Sequence, residues 1–240
     1  MPGGSQHQGA SPSWGEYFAL QAQACRAPAL RRFYAAGLPA EDTPVADVSL
    51  LALDFETTGL DPARHGIVSI GMVPFDLRRI RPAAGRYWVI RPQQPLREES
   101  IAFHRITHSE VEHAPPFDAV LDDVLAGLAG HLVVVHYRNI ERPFLDAAVM
   151  AARSEHCLFP VIDTMALEAR QERLDHWRRL KRFLGIRPAS IRLADSRARY
   201  GLPAYSSHHA KVDAMATAEL FPAQIARHYS PDTPVRELWV

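Results

Sequence analysis

Apolar positions along the chain form two kinds of pattern, continuous or alternating runs typical of strands and wider spacings typical of amphipathic helices. Three strand-like runs follow one another from Ser49, written SLLALDF, IVSIGMVPFD and GRYWVIR. Turns rich in Gly, Pro and Asp separate them, so we expect the runs to pair as antiparallel neighbours. A fourth run, HLVVVHY, is almost wholly apolar and favours a buried strand.

Helical spacings precede and follow these strands. Residues 14 to 37 are broadly helical, and Pro28 interrupts the pattern. Further helices are predicted at residues 98 to 103, at residues 117 to 128, from Asn139, through residues 170 to 187, in the segment IRLADSRARYG, and from Ala210 to Ala226. Because strands and helices alternate in the second half, the pattern predicts an α/β fold with a mixed sheet flanked by helices.

The composition divides the chain into three parts. Residues 1–46 begin with a stretch rich in Gly, Ser, Pro and Gln that we expect to be disordered, followed by a helical arm and a linker with two prolines. Residues 47–230 hold the strand and helix patterns and are predicted to form the main domain. Residues 231–240 are predicted to form a C-terminal tail.

Charge and cysteine content narrow the class of protein. Among 240 residues, 27 Lys and Arg balance 27 Asp and Glu, so any attraction to nucleic acid must be local. Cys25 and Cys157 lack the spacing of a zinc site or a disulfide framework, which favours a reducing compartment. The start does not resemble a signal peptide, and no apolar run is long enough to span a bilayer. We therefore expect a cytoplasmic protein.

Two carboxylates stand at the end of the first strand-like run, in the sequence LALDFETTGLDP. Asp54 and Glu56 alternate with Leu53 and Phe55, so both acids leave the same face of a strand. Burying two unpaired carboxylates together is unfavourable or protonates one of them, and a bound divalent cation removes that cost. Taken alone, the pair is more typical of a turn that follows a strand.

A histidine and an aspartate lie together near the start of the last predicted helix. In SSHHAKVDAMATAELF, His208 comes five residues before Asp213. On one continuous helix that separation turns the two side chains about 140° apart. We therefore expect His208 on a loop that leads into the helix, with Asp213 one turn inside it.

Three segments together resemble the motifs of the DEDDh exonucleases, a family that includes the epsilon proofreading subunit of bacterial DNA polymerase III. The segments are DFETTG, HYRNIERPFL and HHAKVDA, in the family's order and at plausible spacing. The resemblance implies a ribonuclease-H-like mixed five-stranded sheet and makes residues 47–230 the exonuclease domain. It also implies a 3′–5′ exonuclease that releases nucleoside monophosphates from single-stranded nucleic acid, using two divalent cations, Mg²⁺ or Mn²⁺.

The resemblance assigns roles to four residues of the first and third motifs. Asp54, Glu56 and Asp213 match the family's metal ligands, and Glu56 is also assigned to the catalytic group. His208 matches the general base that takes a proton from the attacking water, a role suited to histidine.

The second motif departs from the family pattern. Aligned on His136, the motif has Glu141 where the family has Asp, so the ligand set becomes DEED. Glutamate keeps the oxygen donors that hard cations require but reaches one methylene further. Taken alone, Glu141 is a first-turn helix acid that pairs with Arg138 or Arg142. Asp146 lies too far along the helix to match the motif.

The resemblance also implies contacts with the substrate. The residues assigned to substrate binding are Thr57, Thr58, Phe103, His104, Ile106 and His136. Phe103 and Ile106 are equally consistent with a place in the core.

A basic segment offers a separate signal for nucleic acid. Residues 170 to 199 hold ten Lys or Arg against three acids, with Trp177 and Phe183 interleaved. Basic side chains with aromatics suit a phosphate backbone and stacked bases, and a solvated helix face remains an equal alternative. The expected partners are the 3′ ends of single-stranded DNA or RNA, and no motif chooses between the two.

A different class of function stays open beside the enzyme. Glu141 is compatible with a catalytically weakened nucleic-acid-binding or scaffold module of the same fold, in which the N-terminal arm docks a protein partner. The presence of both His208 and Asp213 argues against this alternative.

Overall fold

A computed structural model describes residues 12–93, 106–174 and 189–240. Several predictions lie outside these residues: the start up to residue 11, the helix at 98 to 103, the substrate contacts of Phe103 and His104, and residues 175–188 of the basic segment, including Trp177 and Phe183.

The described residues form a mixed sheet of five strands. The strands are β1 (Leu50–Thr57), β2 (Ile67–Phe75), β3 (Arg86–Val89), β4 (Leu132–Val135) and β5 (Val161–Asp163). Their order across the sheet is β3-β2-β1-β4-β5. β1, β2 and β3 pair as antiparallel neighbours, while β4 runs parallel to β1 and β5 runs parallel to β4. The predicted meander and the mixed five-stranded sheet are confirmed.

Helices surround this sheet. They are α1 (Trp14–Ala24), α2 (Pro28–Ala35), α3 (His108–Glu112), α4 (Phe117–Leu128), α5 (Arg138–Arg153), α6 (Thr164–Leu174), α7 (Leu193–Arg199) and α8 (Ala210–His228). Pro28 begins α2, at a position where its missing N–H costs nothing. Among the described residues, no helix is long and apolar enough to cross a membrane.

Side chains of β1 alternate between two hydrophobic cores, one on each face of the sheet. Leu51 and Leu53 pack with α1, α2, α4 and α5 on one face. Leu50 and Ala52 pack with α8 and the C-terminal residues on the other. The same alternation places Asp54 and Glu56 on the side of the sheet that α8 covers.

The N-terminal helices are tied to a distant part of the chain. The Glu155 carboxylate accepts the backbone N–H groups of Arg26 at 2.7 Å and Ala27 at 2.8 Å, just before α2. The Tyr34 hydroxyl accepts the N–H of Leu158 at 3.0 Å. The helices predicted for residues 14 to 37 thus pack on the main core, and the proposed division into domains stays a prediction.

Candidate active site

A close backbone contact brings the start of α8 over the end of β1 that bears Asp54 and Glu56. Gly71 of β2 pairs with Asp54 of β1. A Cβ atom on Gly71 would lie 2.2 Å from the carbonyl carbon of Ala210, the first residue of α8. Only glycine leaves room for this approach, which carries Asp213, in the first turn of α8, towards Asp54.

Three carboxylates meet at this point. Asp54, Glu56 and Asp213 each offer an oxygen, and these oxygens all lie within 4.8 Å of one another. Asp213 is buried, and the other two are partly buried. A group of carboxylate oxygens at this separation suits a hard divalent cation such as Mg²⁺ or Mn²⁺.

The electrostatics of the cluster are unfavourable without a cation. Burial raises the pKa of Asp54 well above its ordinary value, and the charges of Asp213, Glu141 and Glu56 raise it further. Burial and the charge of Asp213 raise the pKa of Glu56 to about 7. Burial also raises the pKa of Asp213. Burial and mutual repulsion thus both disfavour the charged carboxylates, and a bound cation would offset this cost.

Asp213 is held by donors from the preceding loop. One of its oxygens, Oδ2, accepts the backbone N–H groups of His208 at 2.8 Å and His209 at 3.0 Å. Residue 208 has a φ of 70°, so the chain turns sharply there before α8 begins. His208 is exposed on this loop and Asp213 lies one turn inside the helix, as the spacing predicts.

The neighbouring histidine faces elsewhere. The ring of His209 stacks on Tyr87 of β3, with centroids 4.4 Å apart. The two adjacent histidines therefore lie in different environments. In the sequence, only their spacing from Asp213 distinguishes them.

Glu141 approaches the cluster from α5 but lies outside the group of three. Its side chain is 2% exposed, and its Oε2 atom has no hydrogen-bond partner among the described residues. Burial raises the pKa of Glu141, and the charges of Asp163 and Glu56 raise it further. A buried carboxylate oxygen without a partner is an available ligand atom near the three clustered acids. Asp146 instead accepts the Cys157 N–H at 2.7 Å.

Asp163, at the end of β5, is a buried acid that the motif analysis missed. Its Oδ1 accepts the N–H groups of Tyr137 at 3.1 Å and Met165 at 3.0 Å, and its Oδ2 accepts that of Arg138 at 3.2 Å. It therefore joins the starts of α5 and α6, and it holds Tyr137 at a φ of 96°. An aspartate directly before the helical segment TMALEAR was the available sequence signal.

The threonines after β1 hold the following loop together. The Thr57 hydroxyl donates to the Gly59 carbonyl at 2.7 Å. The buried Thr58 exchanges two bonds with Gly66, its N–H donating to the carbonyl at 3.0 Å and its hydroxyl accepting the N–H at 3.0 Å. Contacts of both residues with a substrate stay a prediction.

The remaining described substrate candidates are packed inside the protein. His136 bonds through one ring nitrogen to the Thr164 hydroxyl at 2.8 Å and through the other to the Ile191 carbonyl at 3.1 Å. Burial lowers its pKa to about 4, so the ring is neutral near pH 7. Ile106 is buried in a small cluster with Val111. Their contacts with a substrate also stay a prediction.

A profile of the exonuclease family, RNase_T, matches residues 51–221, a span that contains all three motifs. The chain belongs to this exonuclease family. The resemblance inferred from the motifs is therefore confirmed, and the family implies use of divalent metal at the acidic cluster.

Relatives and solved structures agree with this membership. The chain is 28% identical over 181 residues to the DNA polymerase III subunit epsilon of Treponema pallidum, covering 75% of this chain and 78% of that protein. It is 29% identical over 181 residues to the PolC-type DNA polymerase III of Thermotoga maritima, but spans only 12% of that longer protein. The nuclease domain of 3'hExo, a DEDDh family member bound to rAMP, superposes with a TM-score of 0.59 at 16% identity, covering 75% of this chain and 92% of that one. This likeness supports the predicted ribonuclease-H-like fold.

Proposed function

We propose that this protein is a metal-dependent 3′–5′ exonuclease that hydrolyses phosphodiester bonds at the 3′ end of single-stranded nucleic acid and releases nucleoside monophosphates. The observation that supports the proposal most strongly is that carboxylate oxygens of Asp54, Glu56 and Asp213 lie within 4.8 Å of one another. These acids come from two elements distant in sequence, and an exposed histidine stands on the adjoining loop.

The proposal places a pair of cations at the acidic residues. Asp54, Glu56 and Asp213 would hold them, and the unpartnered Oε2 of Glu141 supports a fourth ligand reaching in from α5. When bound, two divalent cations activate water and stabilise the charge that develops on the attacking and leaving oxygens of an in-line displacement. The longer reach of Glu141 affects the metal preference and the rate more than the class of reaction, and both Mg²⁺ and Mn²⁺ remain candidates.

His208 would accept the proton of the attacking water. Its backbone N–H is bound to Asp213, so the loop that bears the imidazole is anchored to a metal ligand. The residue is exposed on this loop. Histidine is suited to this step because it exchanges protons near neutral pH.

The class of product has independent support. The 3'hExo nuclease domain was solved with rAMP, a nucleoside monophosphate. DNA and RNA remain alternative substrates for this chain, because readout of the 2′ hydroxyl depends on local contacts. The cytoplasmic location and the protein partner expected for the N-terminal arm stay predictions.

The test is a release assay with single-stranded DNA and RNA oligonucleotides, each labelled at the 3′ or the 5′ end. We expect Mg²⁺ or Mn²⁺ to support release of labelled mononucleotide from the 3′ end at once, while the 5′ label passes through progressively shorter products. EDTA and the Asp54→Asn variant should both abolish release. The proposal fails if no metal-dependent release occurs at high enzyme concentration, or if the 5′ label leaves first.

One observation favours the binding-module alternative. Glu141 lies outside the group of three clustered acids, so the second-motif ligand is the least well placed of the four. Tight, metal-dependent binding of single strands with no release would support this alternative.

A further inference from the structure

Tyr137, directly before α5, has a backbone conformation that is unfavourable for its side chain. Its φ of 96° and ψ of 76° lie in the left-handed region. Glycine and asparagine adopt this region most readily, whereas for a bulky residue it is an outlier. Such conformations persist only where the surrounding structure enforces them, and they are concentrated at sites that bind ligands.

Hydrogen bonds from the end of β5 enforce this conformation. Asp163 accepts the N–H groups of Tyr137 at 3.1 Å and of the next residue at 3.2 Å. The hydroxyl of Thr164 donates to the Val135 carbonyl at 3.0 Å and bonds to the His136 ring at 2.8 Å. The chain on both sides of Tyr137 is therefore fixed, which prevents its backbone from relaxing.

The side chain of Tyr137 is not explained by packing. It is 41% exposed and belongs to none of the hydrophobic clusters of the described residues. Among these residues, none forms a hydrogen bond with its hydroxyl or stacks on its ring. Contacts within the described chain therefore account neither for the aromatic ring nor for the strained backbone that bears it.

Tyr137 lies at the edge of the sheet that carries the acidic cluster. β1 and β4 are parallel neighbours, with Ala52 opposite Val134. Asp54 comes two residues after Ala52, and Tyr137 comes three residues after Val134. Adjacent strands lie about 4.8 Å apart, so the two segments leave the same edge side by side. In the proposed reaction the terminal phosphodiester lies at the cluster, which places the last bases of the strand near this edge.

We propose that the Tyr137 ring stacks on a nucleobase near the 3′ end of the bound strand, and that the strained backbone presents the ring to that base. The inference rests on the proposed function and adds a base contact to the same site. An exposed aromatic ring suits single strands, because every base offers a flat face whatever the sequence. Stacking of this kind typically contributes about 5- to 150-fold in affinity per base.

The test measures binding of a 5′-labelled oligothymidylate by fluorescence anisotropy in EDTA, which prevents metal-dependent cleavage. Tyr137→Asn should bind at least about fivefold more weakly than the parent protein, whereas Tyr137→Phe keeps the ring and should bind like the parent. In the release assay with Mn²⁺, Tyr137→Asn should raise the KM for the oligonucleotide by a similar factor. Its melting temperature should not fall, because asparagine tolerates a positive φ.

Ser154→Asn is the matched control. Ser154 is exposed at the other end of α5 and has a φ of 55°, so this variant also places asparagine in the left-handed region. The helix has 16 residues, which puts Ser154 roughly 25 Å from Tyr137. We expect the control to bind the oligonucleotide like the parent.

Abasic oligonucleotides distinguish stacking from an indirect effect on the fold. Removing the base that contacts Tyr137 should weaken binding to the parent, but it should not weaken binding to Tyr137→Asn any further. We expect one position among the last nucleotides to show this dependence. The comparison stays decisive even if Tyr137→Asn melts at a lower temperature, because it is made within each protein.

Three results would overturn the proposal: Tyr137→Asn binding as tightly as the parent, Tyr137→Phe binding as weakly as Tyr137→Asn, or no abasic position that distinguishes the parent from Tyr137→Asn. A parent protein that binds single strands but releases no nucleotide would defeat the exonuclease proposal alone, and the anisotropy results would still decide the stacking contact. A parent that binds no single strands would defeat both proposals.

Discussion

Gly71 and Ala210 meet backbone to backbone, so closely that a Cβ atom on Gly71 would lie 2.2 Å from the Ala210 carbonyl carbon. Because Gly71 pairs with Asp54 and Ala210 begins α8, this contact sets the distance between the first and third motifs. The geometry of the acidic cluster therefore depends on a residue that carries no functional group.

Gly71→Ala should displace α8 and pull Asp213 away from Asp54. Overpacking of this kind typically costs about 1 to 3 kcal/mol of stability, measurable by urea denaturation. We also expect Mn²⁺ affinity to fall at least about tenfold, because the carboxylates separate. Gly15→Ala is the control, since a Cβ there meets nothing within 4 Å. Unchanged stability and Mn²⁺ affinity in Gly71→Ala would show that the contact does not set the cluster.

Asp54→Asn should lower turnover while raising the stability of the metal-free protein. The substitution removes a charge that burial and three neighbouring carboxyls disfavour, so we expect the metal-free protein to melt at a higher temperature. Turnover should fall at least about 100-fold, because a proposed metal ligand is lost.

Asp76→Asn is the control for this experiment. Asp76 accepts the N–H groups of Arg78 and Arg79 at 2.8 and 2.9 Å, and its pKa is lowered by these bonds and by Arg81. Neutralising it should bring no gain in stability and no loss of turnover. A melting temperature for metal-free Asp54→Asn below that of the parent would contradict the repulsion argument.

The stability of the metal-free protein should fall as the pH rises. The pKa of Glu56 increases from an ordinary value of 4.5 to about 7 on folding, so the folded state binds more protons between these values. Its contribution to stability is therefore complete below about pH 4.5 and is lost as the pH passes through 7. Thermal unfolding in EDTA across this range measures the slope, and Glu56→Gln should flatten it.

Saturating Mn²⁺ should reverse this trend, because cations bind the deprotonated carboxylates. Equal slopes with EDTA and with Mn²⁺ would count against a metal site at Glu56.

The proposed ligand role of Glu141 can be tested by shortening its side chain and by removing its carboxylate. Glu141→Asp should retain or improve turnover, since aspartate is the family's residue at this position of the motif. Glu141→Ala should lose at least about tenfold in turnover, because the carboxylate is absent from the buried site. Titration with Mg²⁺ and with Mn²⁺ would show whether the shorter side chain changes metal preference. A Glu141→Ala protein as active as the parent would rule out the ligand role.

The local parts of this structure were predictable from the sequence. The alternation of apolar residues in β1 places Asp54 and Glu56 on one face, and the five-residue spacing places His208 on a loop and Asp213 in a helix. These predictions depend on periods of two and of 3.6 residues, which the sequence displays directly.

Contacts between distant segments were not predictable in this way. β5 has only three residues, too few to show a period, and its Asp163 acts on a helix that begins 25 residues earlier. Gly71 matters because the packed chain brings the backbone of Ala210 against it. No spacing rule along one sequence reports such contacts.

The bonds from Glu155 to the start of α2 also bear on how the chain is made. Ala27 and its carboxylate partner are 128 residues apart in sequence. At the usual rate of protein synthesis, the ribosome needs on the order of ten seconds to cover that distance. Throughout this interval Phe33 of α2 lacks Phe159, an aromatic side chain on which it finally packs. A pause in translation before residue 155 therefore prolongs the time in which Phe33 is exposed and the chain can aggregate or bind chaperones.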